Sequence, residues 1–458
     1  MFIGRKRELE ALEKLYLTDN FQFAVIYGRR RVGKTALLNE FIRDKNAIYF
    51  TGVETNEKQN LENFSHSILN MDTSFSSFQD AFEYVFQQAE KNRMILVIDE
   101  YPYIARASKS LASTLQLLID KHKDKSKLFL ILCGSSMSYM EDHVLAYKAP
   151  LYGRRTAQFK IEPFDFFESA GCFPHFSPEE KALIYGIVGG TPQYLLQIDA
   201  NLSIEDNIKN TYLNSMATIY EEPTNLLKQE MREPAIYNAI IAAIASGASK
   251  LSEISGKVGE STSVCAMYIK NLISLGIVKK ESPYGEKGSR KTIYLVADNM
   301  FRFWYRFVPE NNSLIARGAV ELAYQRIAPH LSDYMGNVFE EICKQYLWKL
   351  ILTEQSEVNV ADLGRWWGTN PKTRKQVEID IMGTEDKSKA LFAECKWTNE
   401  NVDLSVLELL MEKTALFHYK DITLYLFAKS GFTAGCMKRA AELGNVKLVK
   451  YEDMLANN

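Results

Sequence analysis

A few groups of residues have the types and spacing to do chemistry. The first is the run Gly28, Arg29, Arg30, Arg31, Val32, Gly33, Lys34, Thr35 and Ala36, which completes G-x-x-x-x-G-K-[ST] at Thr35. Glycine-rich backbone can turn its N–H groups inward around phosphate oxygens, and a helix beginning there adds its positive end. Lys34 is spaced to reach the β and γ phosphates of a nucleotide, and the Thr35 hydroxyl to hold Mg²⁺. The second group is Asp99-Glu100, which closes the apolar run MILVIDE. A carboxylate at the end of such a strand faces the same crevice as the phosphate loop. Asp99 then serves the Mg²⁺ shell, and Glu100 orients and deprotonates an attacking water. The third group is Asp380, Glu394 and Lys396, with the spacing D-x13-E-x-K. Alternate residues of a strand share a face, so Glu394 and Lys396 project together. A hairpin brings Asp380 beside them. Asp380 and Glu394 are candidate oxygen ligands for Mg²⁺ or Mn²⁺, and Lys396 can stabilise charge on a phosphate. The plainer reading of that trio is a salt-bridged Glu–Lys pair on a surface strand.

Other residues extend these sites. Ser135, in Gly134-Ser135-Ser136, ends the next apolar run, where a sensor of nucleotide state would sit. Arg154 and Arg155 either stabilise transferring phosphate or form a solvated basic loop. Gly189-Gly190-Thr191-Pro192 reads as a tight turn before a lid helix. Near the third group, Glu340 lies on a predicted helix, and GRWWG (364–368) precedes Lys372, Arg374 and Lys375, a basic loop able to meet a nucleic-acid backbone.

The elements needed to position these residues are legible as patterns. FQFAVIYG, AIYFTG, MILVIDE, LFLILCGS and AQFKIEP are apolar runs separated by helical periodicities. That alternation predicts a parallel sheet covered on both faces. From Pro163 to Leu227 the pattern is helical, with loops at Gly189-Gly190 and at Pro223. Between Lys228 and Asp298 a helix, a turn and a second helix precede a strand–turn–strand segment, a winged-helix pattern. Its turn carries Lys279, Lys280, Lys287, Arg290 and Lys291, which suit phosphate oxygens. The module either docks DNA or relays nucleotide state as an internal packing piece. The last third opens with helices and continues with the strands VEIDIMG, ALFAECKW and ITLYLFA, a second α/β unit. The implied division is 1–165, 166–227, 228–300 and 301–458.

Composition bounds the alternatives. The 458 residues are 46% hydrophobic and 24% charged, with net charge −2, so any nucleic-acid binding must come from a local patch. No apolar run approaches the ~20 residues that span a bilayer. The opening MFIGRKRELE does not read as a secretion signal. Six scattered cysteines show no C-x-x-C spacing, which argues against a disulfide framework and a cysteine zinc site. The six histidines are dispersed. A cytoplasmic protein is expected.

IGRKRELEALEKLY, GRRRVGKTALL, LVIDEYPYI, LCGSSMSYME, PLYGRRT and GGTPQYLL together resemble the archaeal and bacterial P-loop ATPases of the AAA+/STAND type. The resemblance covers about residues 1–230. It implies a five-stranded core, a helical lid, ATP between them, and Phe2 to Arg5 near the adenine. The tail, through GRWWG, EIDI and ECKW, is similar to the PD-(D/E)xK nuclease-like domain that commonly ends such ATPases. That likeness implies a restriction-endonuclease-like α/β fold over about 290–458, with Glu340 as the acid from its first helix. The expected protein is an ATP- and Mg²⁺-dependent ATPase whose nucleotide state controls a DNA-interacting, nuclease-like tail. DNA is the candidate macromolecular partner, and an oligomer is compatible with the sequence. The competing expectation is a slow ATP-dependent signalling switch with a degenerate, protein-interacting tail.

Overall fold

A computed structural model describes residues 2–71, 73–286, 288 and 291–456. Lys287 and Arg290 of the expected basic turn therefore lie outside the described residues. The chain divides into two compact units. One holds residues 1–164 with 191–193, and the other holds 165–190 and 194–458.

In the first unit the five apolar runs become β1 (Gln22–Tyr27), β2 (Ala47–Thr51), β3 (Met94–Asp99), β4 (Leu128–Gly134) and β5 (Ala157–Lys160). They form one sheet in the order β2-β3-β4-β1-β5, and every pairing is parallel. Strands β1 and β4 are buried along their whole length, which is why they read as unbroken apolar runs. Ala24, Ile26, Ile95, Val97, Phe129 and Ile131 pack one face against Leu37, Leu38 and Phe41 of the helix Lys34–Ile42. Because all strands run one way, their carboxyl ends share an edge. The register sets Tyr27 beside Gly134, and Thr51 beside Asp99. That edge is where α/β sheets place ligands.

The second unit begins with helices. The helix Thr218–Glu230 runs through Pro223, where the sequence pattern suggests a loop. The proline forfeits a bond to the Ile219 carbonyl, but burial of Ile219, Leu226 and Leu227 holds the helix together. Next come the helices Pro234–Ala245, Leu251–Val258 and Thr262–Ser274, then the antiparallel pair β6 (Val278–Glu281) and β7 (Ile293–Val296). The helices Asn299–Ile315 and Leu331–Leu352 lead to a mixed sheet. Its strands are β8 (Gly364–Thr369), β9 (Gln376–Thr384), β10 (Lys389–Lys396), β11 (Asp421–Ala428) and β12 (Val446–Lys450), in the order β12-β11-β10-β9-β8. Strands β8, β9 and β10 pair antiparallel, and β10, β11 and β12 pair parallel. GRWWG lies in β8, where Trp366 packs edge-on against Phe417 at 4.9 Å, and the expected basic loop after it is the β8–β9 turn. Trp397 is buried against Phe339 and Tyr451, so both tryptophans are packing groups.

Candidate active site

The phosphate loop follows β1 directly, and its geometry explains its glycines. A Cβ on Gly28 would overlap the carbonyl oxygen of Ile161, so only glycine fits where the loop passes β5. Gly33 has φ +88° and caps the helix Lys34–Ile42, a backbone shape that disfavours any side chain. Arg31 also adopts a left-handed conformation, with φ 74°. Lys34 Nζ donates to the carbonyls of Gly28 at 2.8 Å and Arg29 at 3.0 Å, curled over its own loop. Val32 is fully buried, and Ala36 lies in the first turn of the helix.

The acids stand opposite, as their strand-end position requires. Thr35 Oγ1 donates to Asp99 Oδ2 at 3.0 Å, and Tyr49 donates to the same oxygen at 2.6 Å. Burial, then the Asp99 carboxylate, pushes the Tyr49 hydroxyl well above its ordinary pKa, so it stays a donor. Glu100 has φ 50°, and its Oε2 accepts from Ser135 Oγ at 2.8 Å. The expected sensor serine and the expected base are therefore in contact. Thr35 with Asp99 fits a Mg²⁺ shell, and Gly28, Gly33 and Lys34 fit a phosphate cradle.

The remaining arginines divide. Arg29 donates to Thr191 Oγ1 at 2.5 Å, and Arg30 to the Tyr103 hydroxyl at 2.8 Å. Pro192 lies 3.5 Å from where a Cβ on Gly33 would stand, so residues 191–193 adjoin the loop. Arg5 donates to the carbonyls of Val32 at 2.9 Å and Glu162 at 2.6 Å, which brings the N-terminal segment against the phosphate loop. Arg154 instead forms a two-pronged ion pair with Asp120, at 3.0 and 2.6 Å, and Arg155 donates to the Leu145 carbonyl at 3.3 Å. Neither has a hydrogen bond to the phosphate loop.

In the second unit, the β9–β10 register pairs Ile381 with Ala393, so Asp380 and Glu394 lie one step beyond as neighbours. Asp380 Oδ2 accepts from the Cys395 N–H at 2.8 Å. Burial, then the negative charges of Glu394 and Glu340, push the Asp380 carboxyl up to about 7. Glu394 is buried, with Lys396 at 2.8 Å on one oxygen and Lys413 at 2.7 Å on the other. Glu340 pairs with Arg365 at 2.7 Å. Among the described residues no three His, Cys, Asp or Glu groups converge to hold a metal ion.

Tyr49, Lys413 and Arg365 are absent from the sequence reading. Tyr49 reaches Asp99 only through the β2–β3 register. Lys413 reaches Glu394 from the helix Leu404–Thr414, with no fixed spacing to announce it. Arg365 stands inside GRWWG, where the tryptophans draw the eye.

Comparison with known proteins adds independent information. Residues 2–198 match an ATPase domain predominantly from Archaea. Residues 304–407 match archaeal and bacterial proteins of unknown function. An uncharacterized protein of Methanocaldococcus jannaschii is 33% identical over 399 residues, spanning 87% of this chain and 88% of that protein. An uncharacterized ATP-binding protein of the same organism is 47% identical over 45 residues, 10% of this chain and 76% of that protein. Among solved structures, the Walker-type ATPase of Pyrococcus abyssi aligns with a TM-score of 0.51 at 20% identity, over 67% of this chain and 96% of that one. That last likeness speaks to the fold. Among the described residues no helix is long and apolar enough to cross a membrane.

Proposed function

The chain belongs to the family of that full-length M. jannaschii relative, with an archaeal ATPase domain at residues 2–198, and from this premise we propose a Mg²⁺-dependent ATP hydrolase whose nucleotide state governs a DNA-directed tail. The observation that carries the first half is the 3.0 Å bond from Thr35 to Asp99, with Glu100 next in sequence. It joins the phosphate loop to the acids that hydrolysis needs. Magnesium, when bound, neutralises phosphate charge and fixes its geometry. The chain's own residues do the rest. Lys34 exchanges the carbonyls of Gly28 and Arg29 for phosphate oxygens. Tyr49 and Thr35 hold Asp99 in one orientation. Glu100 leaves Ser135 and accepts a proton from water.

Phosphate release from ATP tests this. Lys34→Ala loses nucleotide binding. Glu100→Gln keeps binding and slows turnover by roughly 10²–10⁴-fold, the scale of a lost general base. Equal turnover in wild type and both variants would defeat the assignment.

For the tail, the exposed Lys372, Arg374 and Lys375 support a nucleic-acid-directed surface, and Asp380, Glu394 and Lys396 are the candidate cutting groups. They do not fit a metal as arranged, because both oxygens of Glu394 are taken by lysines. A cutting tail requires Glu394 to shed one of them. Mn²⁺-dependent DNA cleavage, with Asp380→Ala as the blank, decides that point. The same ion pairs favour a second reading, a slow switch with a non-cutting tail, as does the Ser135–Glu100 bond. Turnover indifferent to DNA, together with no cleavage, selects it.

A further inference from the structure

The helix Pro178–Val188 is held at both ends by later parts of the chain. It stops at Gly189, whose φ of +67° and ψ of −159° suit glycine. The last turn of a helix leaves carbonyls with spare acceptor capacity. Here three carbonyls in succession accept from side chains of three other segments. Asn299 Nδ2 donates to the Tyr185 carbonyl at 2.8 Å, the Tyr334 hydroxyl to that of Gly186 at 2.6 Å, and the Tyr212 hydroxyl to that of Ile187 at 2.6 Å. All three donors are buried, and the Phe303 ring lies against the two tyrosines, with centroids at 4.6 and 5.6 Å. A Cβ on Gly186 would stand 2.6 Å from Met335 Sδ, so the helix passes close to Leu331–Leu352.

The other end meets the β8–β12 sheet. The Tyr451 hydroxyl, just beyond β12, donates to the Pro178 carbonyl at 2.6 Å, and Glu179 pairs with Lys429, just beyond β11. The Lys429 N–H donates in turn to the Lys396 carbonyl at 3.0 Å, and its ammonium lies 5.0 Å over the Trp397 ring. All of these residues belong to the second unit. Eleven residues at a helical rise of 1.5 Å separate the two ends by about 16 Å. Beyond Gly190 the chain enters the first unit for three residues, Thr191–Gln193, and then returns. There Thr191 Oγ1 accepts from Arg29 of the phosphate loop at 2.5 Å, and the Gln193 N–H donates to the Arg31 carbonyl at 3.4 Å. Gly189 and Gly190 are buried, and the Gly189 N–H stays bonded to the Tyr185 carbonyl, so the join between loop contact and helix is tight.

We infer that the helix Pro178–Val188 is the relay by which occupancy of the phosphate loop reaches the tail. Asn299, Tyr334 and Tyr212 grip its receiving end, and Glu179–Lys429 with Tyr451 is its output beside Lys396. The inference rests on the ATP reading and adds to it the route and the residues that carry it. A close-packed, hydrogen-bonded helix passes on a displacement as a body instead of absorbing it. The residues at its ends are positioning residues, since they act on the tail through the helix.

The test is hydrogen exchange on the full chain, with and without Mg²⁺ and a non-hydrolysable ATP analogue, read over residues 389–396 and 421–450. Calorimetry measures binding of the analogue on the same preparations. In the wild type the analogue is expected to change exchange in those segments by roughly fivefold or more, the lower end of ordinary coupling between sites. Asn299→Ala with Tyr334→Phe brings that ratio towards one while the analogue still binds. Glu179→Gln with Tyr451→Phe does the same from the output end. This second pair removes only one charge and one hydroxyl, and it decides the matter if the first pair lowers the melting temperature severely. A purely structural role would alter exchange equally in the presence and absence of the analogue, whereas a relay alters the difference. Binding of the analogue with no change in the tail, or a change that survives both pairs of substitutions, overturns the relay and leaves the ATP reading standing. A wild-type chain that binds no analogue defeats the ATP reading, and the relay with it.

Discussion

Glu100 and Asp380 are the two residues whose surroundings set what they can do. Glu100 is tied to Ser135 at 2.8 Å. If that bond restrains the base, Ser135→Ala raises steady-state ATP turnover, by up to roughly tenfold for one hydrogen bond to a charged group. A fall in turnover would mark Ser135 as a phosphate sensor instead. Asp380 titrates where few carboxyls do, near 7, because it is buried beside Glu394 and Glu340 with Lys396 only partly offsetting them. Its unfolded pKa is about 3.9. Between these values the folded state holds a proton that the unfolded state lacks, so stability is highest at the acid end and declines as pH rises through about 7. Melting curves in a chelator between pH 5 and 8 follow that decline, and Asp380→Asn flattens it. A wild-type curve that is flat over the same range rules the effect out.

At the scale of elements, packing decides what local pattern leaves open. Trp397 follows β10 and packs against Phe339 and Tyr451, with ring centroids at 5.1 and 5.4 Å. Trp397→Ala should therefore cost about 3–5 kcal/mol, as large buried truncations do. Denaturant unfolding reads this as an early transition of the second unit; an unaltered profile would show that Trp397 contributes little to its packing. β1, β3 and β4 were readable because near-complete burial writes an apolar run into each of them, whereas β2 and β5 are only partly buried. β8 was not, since glycines frame its tryptophans and its residues are mostly half-buried. β12, VKLVK, is half-buried throughout, and Lys447 and Lys450 break its apolar run and hide an edge strand. Pro223 misled in the other direction, because a buried helix tolerates a missing N–H when its apolar face is secured. The phosphate loop and its acids were legible as linear motifs. The partners of Glu340 and Glu394 were not, because Arg365 reaches Glu340 from β8 and Lys413 reaches Glu394 from a distant helix.

For the whole molecule, a net charge of −2 spread over 458 residues provides no general attraction for DNA. Binding at the tail has to be local, and the β8–β9 turn exposes Lys372, Arg374 and Lys375 together. Three cations displacing counterions from duplex DNA give a slope of log affinity against log salt of about −3, far shallower than for a strongly basic protein. Replacing the three by alanine removes about one unit of slope per residue while leaving ATP turnover in the absence of DNA unchanged. Anisotropy titrations across a salt series measure both quantities on the same preparations. A slope that survives the triple substitution moves the DNA contact elsewhere, with Lys280 of β6 next in line. A slope near zero in the wild type would mean that the tail meets DNA weakly or not at all, and would shift the balance to the switch reading.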